Sequence, residues 1–345
     1  MSAHSCEGRT GDGLATGAVP RPAMRVIRLT AFGAPSVLVP GEAPDPEPAE
    51  GQVLVEVEAA SVLFAETQAR AGRSMAPIPL PAPPFVPGNS VGGVISAVGA
   101  QVDPGLLGRR VVGSTGGLGG YADKAVVAAG GVIPIPDGVS TTDAVALLDD
   151  GRAAMGLFRL AEPKPREWVL VEAAAGGLGS LLVQLAVNNG AHVIGAVGSE
   201  AKLPVVRAAG AEAVSYAQPG WAEQIRGLTG GAAVDVVFDG VGGEVGAAAA
   251  SLVEAGGRFV VHGAASGAYT GTEALAARGV AVVGLPQMMA ELGPLMQELG
   301  ASALAEAAAG RLRPVIGQTF PLERAADAHA AMEARTTLGK TLLLP

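Results

Sequence analysis

Cysteine is almost absent from this chain. The single cysteine, Cys6, excludes an intramolecular disulfide framework and a cysteine-built zinc site. Histidine is nearly as scarce. His4, His192, His262 and His329 lie far apart without metal-ligand spacing, so no metal site is expected. That usage fits a reducing cytoplasm. Basic clusters are missing too. The chain carries 23 Lys and Arg against 32 Asp and Glu, a formal net charge of −9, which argues against nucleic acid or an anionic membrane as partner. No uncharged apolar run approaches the roughly 20 residues needed to span a bilayer. The opening stretch "MSAHSCEGRTGDGLATGAVPRPA" (1–23) lacks periodicity and an apolar core of signal-peptide length, and is expected to be a flexible leader before a first strand at Met24.

What is present points to a folded protein. Apolar residues make up 49% and charged residues 16% of 345 positions, enough for two domains with separate cores. The 51 glycines and 25 prolines imply many tight turns. From 24 to about 145, short apolar runs such as "QVLVEVEAASV" (52–62), "VGGVISAVGA" (91–100) and "GRRVVGS" (108–114) are broken by turn residues, which predicts a β-rich unit. The run "PIPLPAPPFVPG" (77–88) is too short of donors for a central strand.

From 146 to 287 the pattern changes. Strands "WVLVEA", "HVIGAV", "AVSY", "VDVVFD", "RFVVHG" and "VAVVG" alternate with helical segments, including ones to about 189, to about 209, near 221–228 and near 243–254. Such alternation predicts an α/β fold: a doubly wound parallel sheet with helices on both faces. Residues 288–345 read as a helix (290–309), a strand "PVIGQTFPL", a helix (323–335) and a closing "KTLLLP", a tail expected to rejoin the β-rich unit.

The informative stretch is "VLVEAAAGGLGSLLVQLAVNNGAHVIGAVGSEAK" (169–202). A dinucleotide-binding fingerprint maps onto Ala174, Gly176 and Gly179, following a strand and opening a helix. Gly176 lets the backbone approach a pyrophosphate, and Gly179 lets the helix pack on the strand. The N–H groups near Gly177 and Leu178, at the positive helix end, hold the phosphate charge. Leu178, Leu181, Leu182, Leu185 and Ala186 form one helical stripe, and Gly190 sits where a C-terminal cap belongs. An NAD-type acid is missing from the end of the second strand, which closes with Gly198-Ser199; Glu200 lies beyond the tip. Ser199 and Lys202 suit a 2′-phosphate, with Tyr216 near the adenine end, and favour NADPH.

With these residues in view the chain resembles the zinc-free quinone oxidoreductase branch of the medium-chain dehydrogenase/reductase family. The resemblance rests on 173–186, "GSEAK" (198–202), "VDVVFDGVGG" (234–243), "GGRFVVHGAASG" (256–267), "VPGNSVGGVISAVG" (86–99) and "GKTLLL" (339–344), and covers essentially all of 24–345. It implies a GroES-like domain (24–145), a Rossmann domain (146–287), a return to the first domain (288–345) and a cleft between them. It implies reduction of quinones, or of the C=C bond of α,β-unsaturated carbonyls, by NADPH. It also implies a homodimer joined through "VAVVG" (280–284).

The sequence departs from the family's pattern at several points. Gly88-Asn89-Ser90 stands where zinc-dependent relatives have Gly-His-Glu, and 61–67 has no cysteine. Leu63 replaces a usual Asn, Glu66 a usual Asp and Gln68 a frequent tyrosine. The stretch "LLDDGRAAMGL" (147–157) puts Asp149, Asp150 and Arg152 near the domain junction, either as an Asp–Arg pair bracing the hinge or with Arg152 on cofactor or substrate. Leu63, Phe64, Thr67 and Asn89 are the expected substrate pocket, and Glu66 and Arg152 the catalytic candidates. Asp239, Val241, Gly263 and Ser266 are expected near the cofactor. His329 and Asp327 are expected to be structural, on a polar helix. Two other functions fit the same residues: a pathway-specific enoyl reductase of secondary metabolism, and an NADPH-binding protein with little turnover.

Overall fold

The computed structural model describes residues 1, 23–73 and 81–345. Residues 2–22, nearly all of the expected leader, lie outside the described residues, as do 74–80, which include the start of the proline-rich run.

In chain order, β1 (Ala23–Leu29) and β2 (Leu38–Pro44) form an antiparallel ribbon. β3 (Gln52–Val62) leads into the short helix α1 (Phe64–Arg70), followed by β4 (Ser90–Val98), β5 (Arg110–Ser114), β6 (Lys124–Ala128) and β7 (Val132–Pro134). In β3 the alternation is visible: Val55, Val57 and Ala59 are buried, while Glu56 and Glu58 between them face solvent. A long helix, α2 (Thr141–Ala161), then crosses to the second sheet, its N-terminus capped by Ser140, which accepts from the Asp143 N–H at 3.0 Å.

The second half runs β8 (Trp168–Glu172), α3 (Gly177–Asn188), β9 (His192–Val197), α4 (Leu203–Ala208), β10 (Glu212–Ser215), α5 (Trp221–Leu228), β11 (Val234–Asp239), α6 (Gly243–Ala250), β12 (Val253–Val261), α7 (Glu273–Ala277) and β13 (Ala281–Gly284). These six strands form one parallel sheet in the order β10-β9-β8-β11-β12-β13. The order reverses between β8 and β11, and ligands of open α/β sheets bind in the crevice at the carboxyl ends beside such a switch point. The stripe read on α3 is the face turned to the core: Leu181, Leu182 and Ala186 are buried, with Leu178 and Leu185 packed against them. Gly190 follows α3 at φ +81°, the left-handed conformation that closes a helix.

Two helices differ from the sequence reading. The segment 243–254 stops at Ala250, because Val253 is already paired with Val234 as the first residue of β12. The segment 290–309 is two helices, α8 (Leu285–Leu292) and α9 (Met296–Ala308), separated at Gly293-Pro294, where proline removes a ladder donor.

The tail, β14 (Ile316–Pro321), α10 (Ala325–Glu333) and β15 (Lys340–Leu344), returns to the first sheet, with β15 between β14 and β3. On its way it crosses the glycine turn after β8. The Gly339 N–H donates to the Ala175 carbonyl at 2.7 Å, and Gly339 and Gly176 form a parallel bridge. Beneath them Lys340 Nζ pairs with Asp150 of α2 at 3.1 Å. Gly339 has φ +50°, and a Cβ there would stand 1.9 Å from the Val315 carbonyl oxygen. Gly339→Ala is therefore expected to lower stability by about 1 to 3 kcal/mol, read as a drop in Tm in thermal unfolding.

Candidate functional site

The glycine turn is built by close approach. Gly176 N–H donates to the Ala173 carbonyl at 2.8 Å, and a Cβ on Gly179 would stand 2.3 Å from that same oxygen, so α3 packs on the strand only with glycine there. Ala174 is buried, its methyl against Gly195 of β9, so it serves the turn through its backbone. Gly177 lies against the Asp150 carboxylate, which Lys340 neutralises. Backbone N–H groups at Gly177 and Leu178 open α3, a helix N-terminus fit for a phosphate.

At the ends of β9 and β10, sequence and structure agree on a cluster and the structure adds one member. Lys202 Nζ donates to the Arg335 carbonyl at 3.0 Å, and the nearby Arg335 guanidinium, after burial, lowers the lysine's pKa. Tyr216 packs edge-on against Trp221 at 6.3 Å, and its hydroxyl lies over Gly198, where a Cβ would approach it to 3.1 Å. Ser199 stands at the strand end beside them, half-buried. Glu200 is turned to Gln218, whose amide donates to it at 3.0 Å. Neither Lys202 nor Arg335 pairs with an acid among the described residues. Two cations held together without an acid concentrate positive charge at this corner. Arg335 was missed because it lies more than 130 residues from Lys202 in sequence; its φ of +56° is a signal that only the fold reveals.

A cavity of about 970 Å³ opens beside this cluster. Phe64 and Gln68 of α1, Arg73, Ser266, Tyr269 and Arg335 are among its walls. Phe64 is a wall and 39% exposed, not core. Of the expected substrate pocket it alone lines this space. Thr67 is buried and donates its hydroxyl to the Phe64 carbonyl at 2.7 Å. Leu63 is half-buried behind α1. The Asn89 amide is consumed, donating to Asp149 at 3.2 Å and accepting from Ser114 at 2.8 Å.

Glu66 ties this region together. One carboxylate oxygen accepts from the Asn89 N–H at 2.8 Å, the other from the Leu63 N–H at 2.8 Å and the Tyr121 hydroxyl at 2.9 Å. Burial pushes its carboxyl up to about 7, against the pull of those donors. Tyr121 in turn meets His329 Nε2 at 3.0 Å, so His329 is a buried member of this network and faces away from the polar side of α10. Burial lowers its pKa to about 3, leaving the ring neutral. Asp327 instead pairs with Arg324 on the surface. Glu66 is thus a positioning group with its oxygens occupied.

Arg152 does not reach the site. Its Nε donates to the Leu148 carbonyl of its own helix at 2.6 Å, next to Gly300 of α9. The hinge is braced otherwise: Asp149 holds Asn89 and Ser90, and Asp150 holds Lys340.

Asp239 is also not free for a ligand. It is buried, one oxygen accepting from Val241 N–H at 3.0 Å and Gly242 N–H at 2.7 Å, the other from Thr270 at 2.5 Å. Val241 is buried as well. Gly263 passes close to Gly240, and Ser266 reaches the cavity wall. Beside Asp239, at the switch point, lies Glu172, which the sequence reading passed over. It is fully buried, and neither oxygen has a formed hydrogen bond; Asp239 and the Val241 N–H sit near it at geometries short of one. Burial first, then Asp239, pushes the Glu172 carboxyl up to about 10. His262, at the end of β12, has an unpartnered Nε2 and is lowered to about 4 by burial. Among the described residues no group of three His, Cys, Asp or Glu is arranged to hold a metal.

A parallel sheet with a glycine-rich turn, a phosphate-suited helix end and a second, β-rich unit across a cavity define a two-part nucleotide-dependent dehydrogenase fold. Residues 49–137 match the alcohol dehydrogenase GroES-like domain and residues 209–343 the zinc-binding dehydrogenase family. A quinone oxidoreductase of Pseudomonas aeruginosa is 33% identical over 325 residues, 92% of this chain and 99% of that protein. A 2-haloacrylate reductase of a Burkholderia species is 32% identical over 322 residues, 91% of this chain and 96% of that protein. The crystal structure of Escherichia coli quinone oxidoreductase complexed with NADPH superposes with a TM-score of 0.85 at 31% identity, covering 93% of this chain and all of that one. The chain belongs to the quinone oxidoreductase branch of the medium-chain dehydrogenase/reductase family.

The raised Glu172 pKa fixes a stability trend. The folded protein keeps this carboxyl neutral up to about 10, whereas the unfolded chain ionises it near 4.5. Its contribution is complete below 4.5 and is lost as pH rises toward 10. Glu172→Gln, neutral at all pH, is expected to gain Tm over the parent protein steadily between about pH 5 and pH 9 in thermal unfolding. A difference in Tm that stays flat over that range contradicts the assignment.

Proposed function

We propose that this protein is an NADPH-dependent oxidoreductase that reduces quinones or the C=C bond of α,β-unsaturated carbonyls without zinc. The observation that carries the cofactor reading is the pairing of Lys202 with Arg335 beside Tyr216, with Glu200 turned away. The N–H groups at Gly177 and Leu178 would hold the pyrophosphate, Ser199, Lys202 and Arg335 the 2′-phosphate, and Gly263, close to Gly240, the nicotinamide end. When bound, the nicotinamide supplies a hydride to an electron-poor carbon of the acceptor. Phe64, Ser266 and Tyr269 would shape the acceptor's space, with Phe64 carried on α1, which Glu66 ties to Leu63 and Asn89. Leu63, Asn89 and Ser90 offer no thiolate or imidazole to zinc, which supports the zinc-independent reading. Likeness to a quinone oxidoreductase and to a 2-haloacrylate reductase supports both acceptor types. The edge position of β13 supports a homodimer formed by strand pairing.

Steady-state oxidation of NADPH and NADH against 1,4-benzoquinone and a simple enone tests the reading. Activity with NADPH is expected, and Lys202→Ala or Arg335→Ala is expected to raise KM for NADPH about tenfold or more while leaving NADH kinetics nearly unchanged. Preference for NADH in the parent protein, or equal loss with both cofactors, overturns it.

A further inference from the structure

The charge of the large cavity is opposite to that of the chain. In a protein of net charge −9, the cavity is walled by three arginines, Arg70, Arg73 and Arg335, and by one carboxylate, Glu333. Two of the arginines are engaged. Arg70 is buried, paired with Glu333 and donating to the Gly33 carbonyl. Arg335 is fixed by a bond to the Ala265 carbonyl at 2.6 Å and stands beside Lys202, in the cluster assigned to the cofactor phosphate. Arg73 remains. It follows α1, is exposed, and its Nε donates to the Gln68 side chain at 3.0 Å. No carboxylate among the described residues pairs with it.

Gln68 is neutral, so its bond orients the guanidinium without cancelling its charge. With Nε on Gln68, the terminal nitrogens stay available for a two-point contact with a carboxylate, the geometry at which arginine excels. The apolar walls beside it, Phe64 at 39% and Tyr269 at 55% exposure, suit a planar ring or conjugated chain.

We infer that the acceptor of this enzyme carries a carboxylate apart from its reducible carbonyl, and that Arg73, oriented by Gln68, is the residue that selects it. This rests on the reductase reading above for the identity of the cavity as the acceptor site. A neutral acceptor leaves Arg73 to water, whereas an anionic one gains a charge-assisted contact that its ester lacks.

The test uses a matched pair, 3-(1,4-naphthoquinon-2-yl)propionate and its methyl ester, binding to the full-length protein saturated with NADP+. That cofactor form donates no hydride, so affinity is measured without turnover. The carboxylate is expected to bind about tenfold tighter than the ester. Arg73→Ala is expected to abolish the difference, and Arg73→Lys to keep part of it, while both leave NADP+ affinity unchanged. Equal binding of acid and ester, a preference that survives Arg73→Ala, or loss of NADP+ affinity in Arg73→Ala overturns the proposal. NADPH oxidation with both quinones, measured separately, judges the reductase reading. An Arg73-dependent preference without turnover sinks that reading and keeps the anion site. Turnover of both quinones without the preference does the reverse.

Discussion

The structure depends on one crossing, where the returning tail meets the glycine turn. Gly339 donates its N–H to the Ala175 carbonyl, and the Asp150–Lys340 pair closes the contact from below. Three parts of the chain far apart in sequence converge there: the crossing helix α2, the turn after β8 and the strand that joins the first sheet. Four residues upstream, Arg335 is held by its own bonds, its guanidinium donating to the Ala265 carbonyl and its carbonyl accepting from Lys202, so that two cations share one corner of the site.

A second theme is how the chain handles buried acids. Glu66 is half-buried with donors on both oxygens, and it ties the Leu63, Asn89 and Tyr121 segments together behind Phe64. Asp149 does similar work from α2 through Asn89 and Ser90. Glu172 is buried without a formed hydrogen bond, so it survives by staying protonated beside Asp239. The first two hold the α1 and 89–90 segments in place. The third places a neutral carboxyl under the site, at the switch point of the sheet.

Much of this was legible in the sequence. The strand–glycine turn–helix unit is a local signal, because close backbone approach and a 3.6-residue stripe both leave marks within 20 residues. The parallel sheet with helices on both faces followed from the alternation of strands and helices, while its strand order came from the fold. The break at Gly293-Pro294 was readable in principle from the dipeptide and was smoothed over by the apolar run around it. What stayed hidden is long-range pairing. Arg152, Asn89 and Thr67 are polar residues at expected cleft positions, yet each spends its polar atoms on a structural neighbour that sequence does not announce. Asp239, expected at the strand end, is there but is spent on Val241, Gly242 and Thr270. Arg335 and Tyr121 were invisible for the opposite reason, since their partners are brought by the fold alone.

The account stands or falls on the 2′-phosphate, so the most direct measurement is phosphorus NMR of NADP+ titrated with the protein. If Lys202 and Arg335 grip that group, its resonance shifts on binding and its pKa falls below that of free NADP+, because two adjacent cations favour the dianion. A 2′-phosphate resonance that keeps its free position and free pKa while the pyrophosphate signals move would contradict the account, and would return Lys202 and Arg335 to the solvated surface.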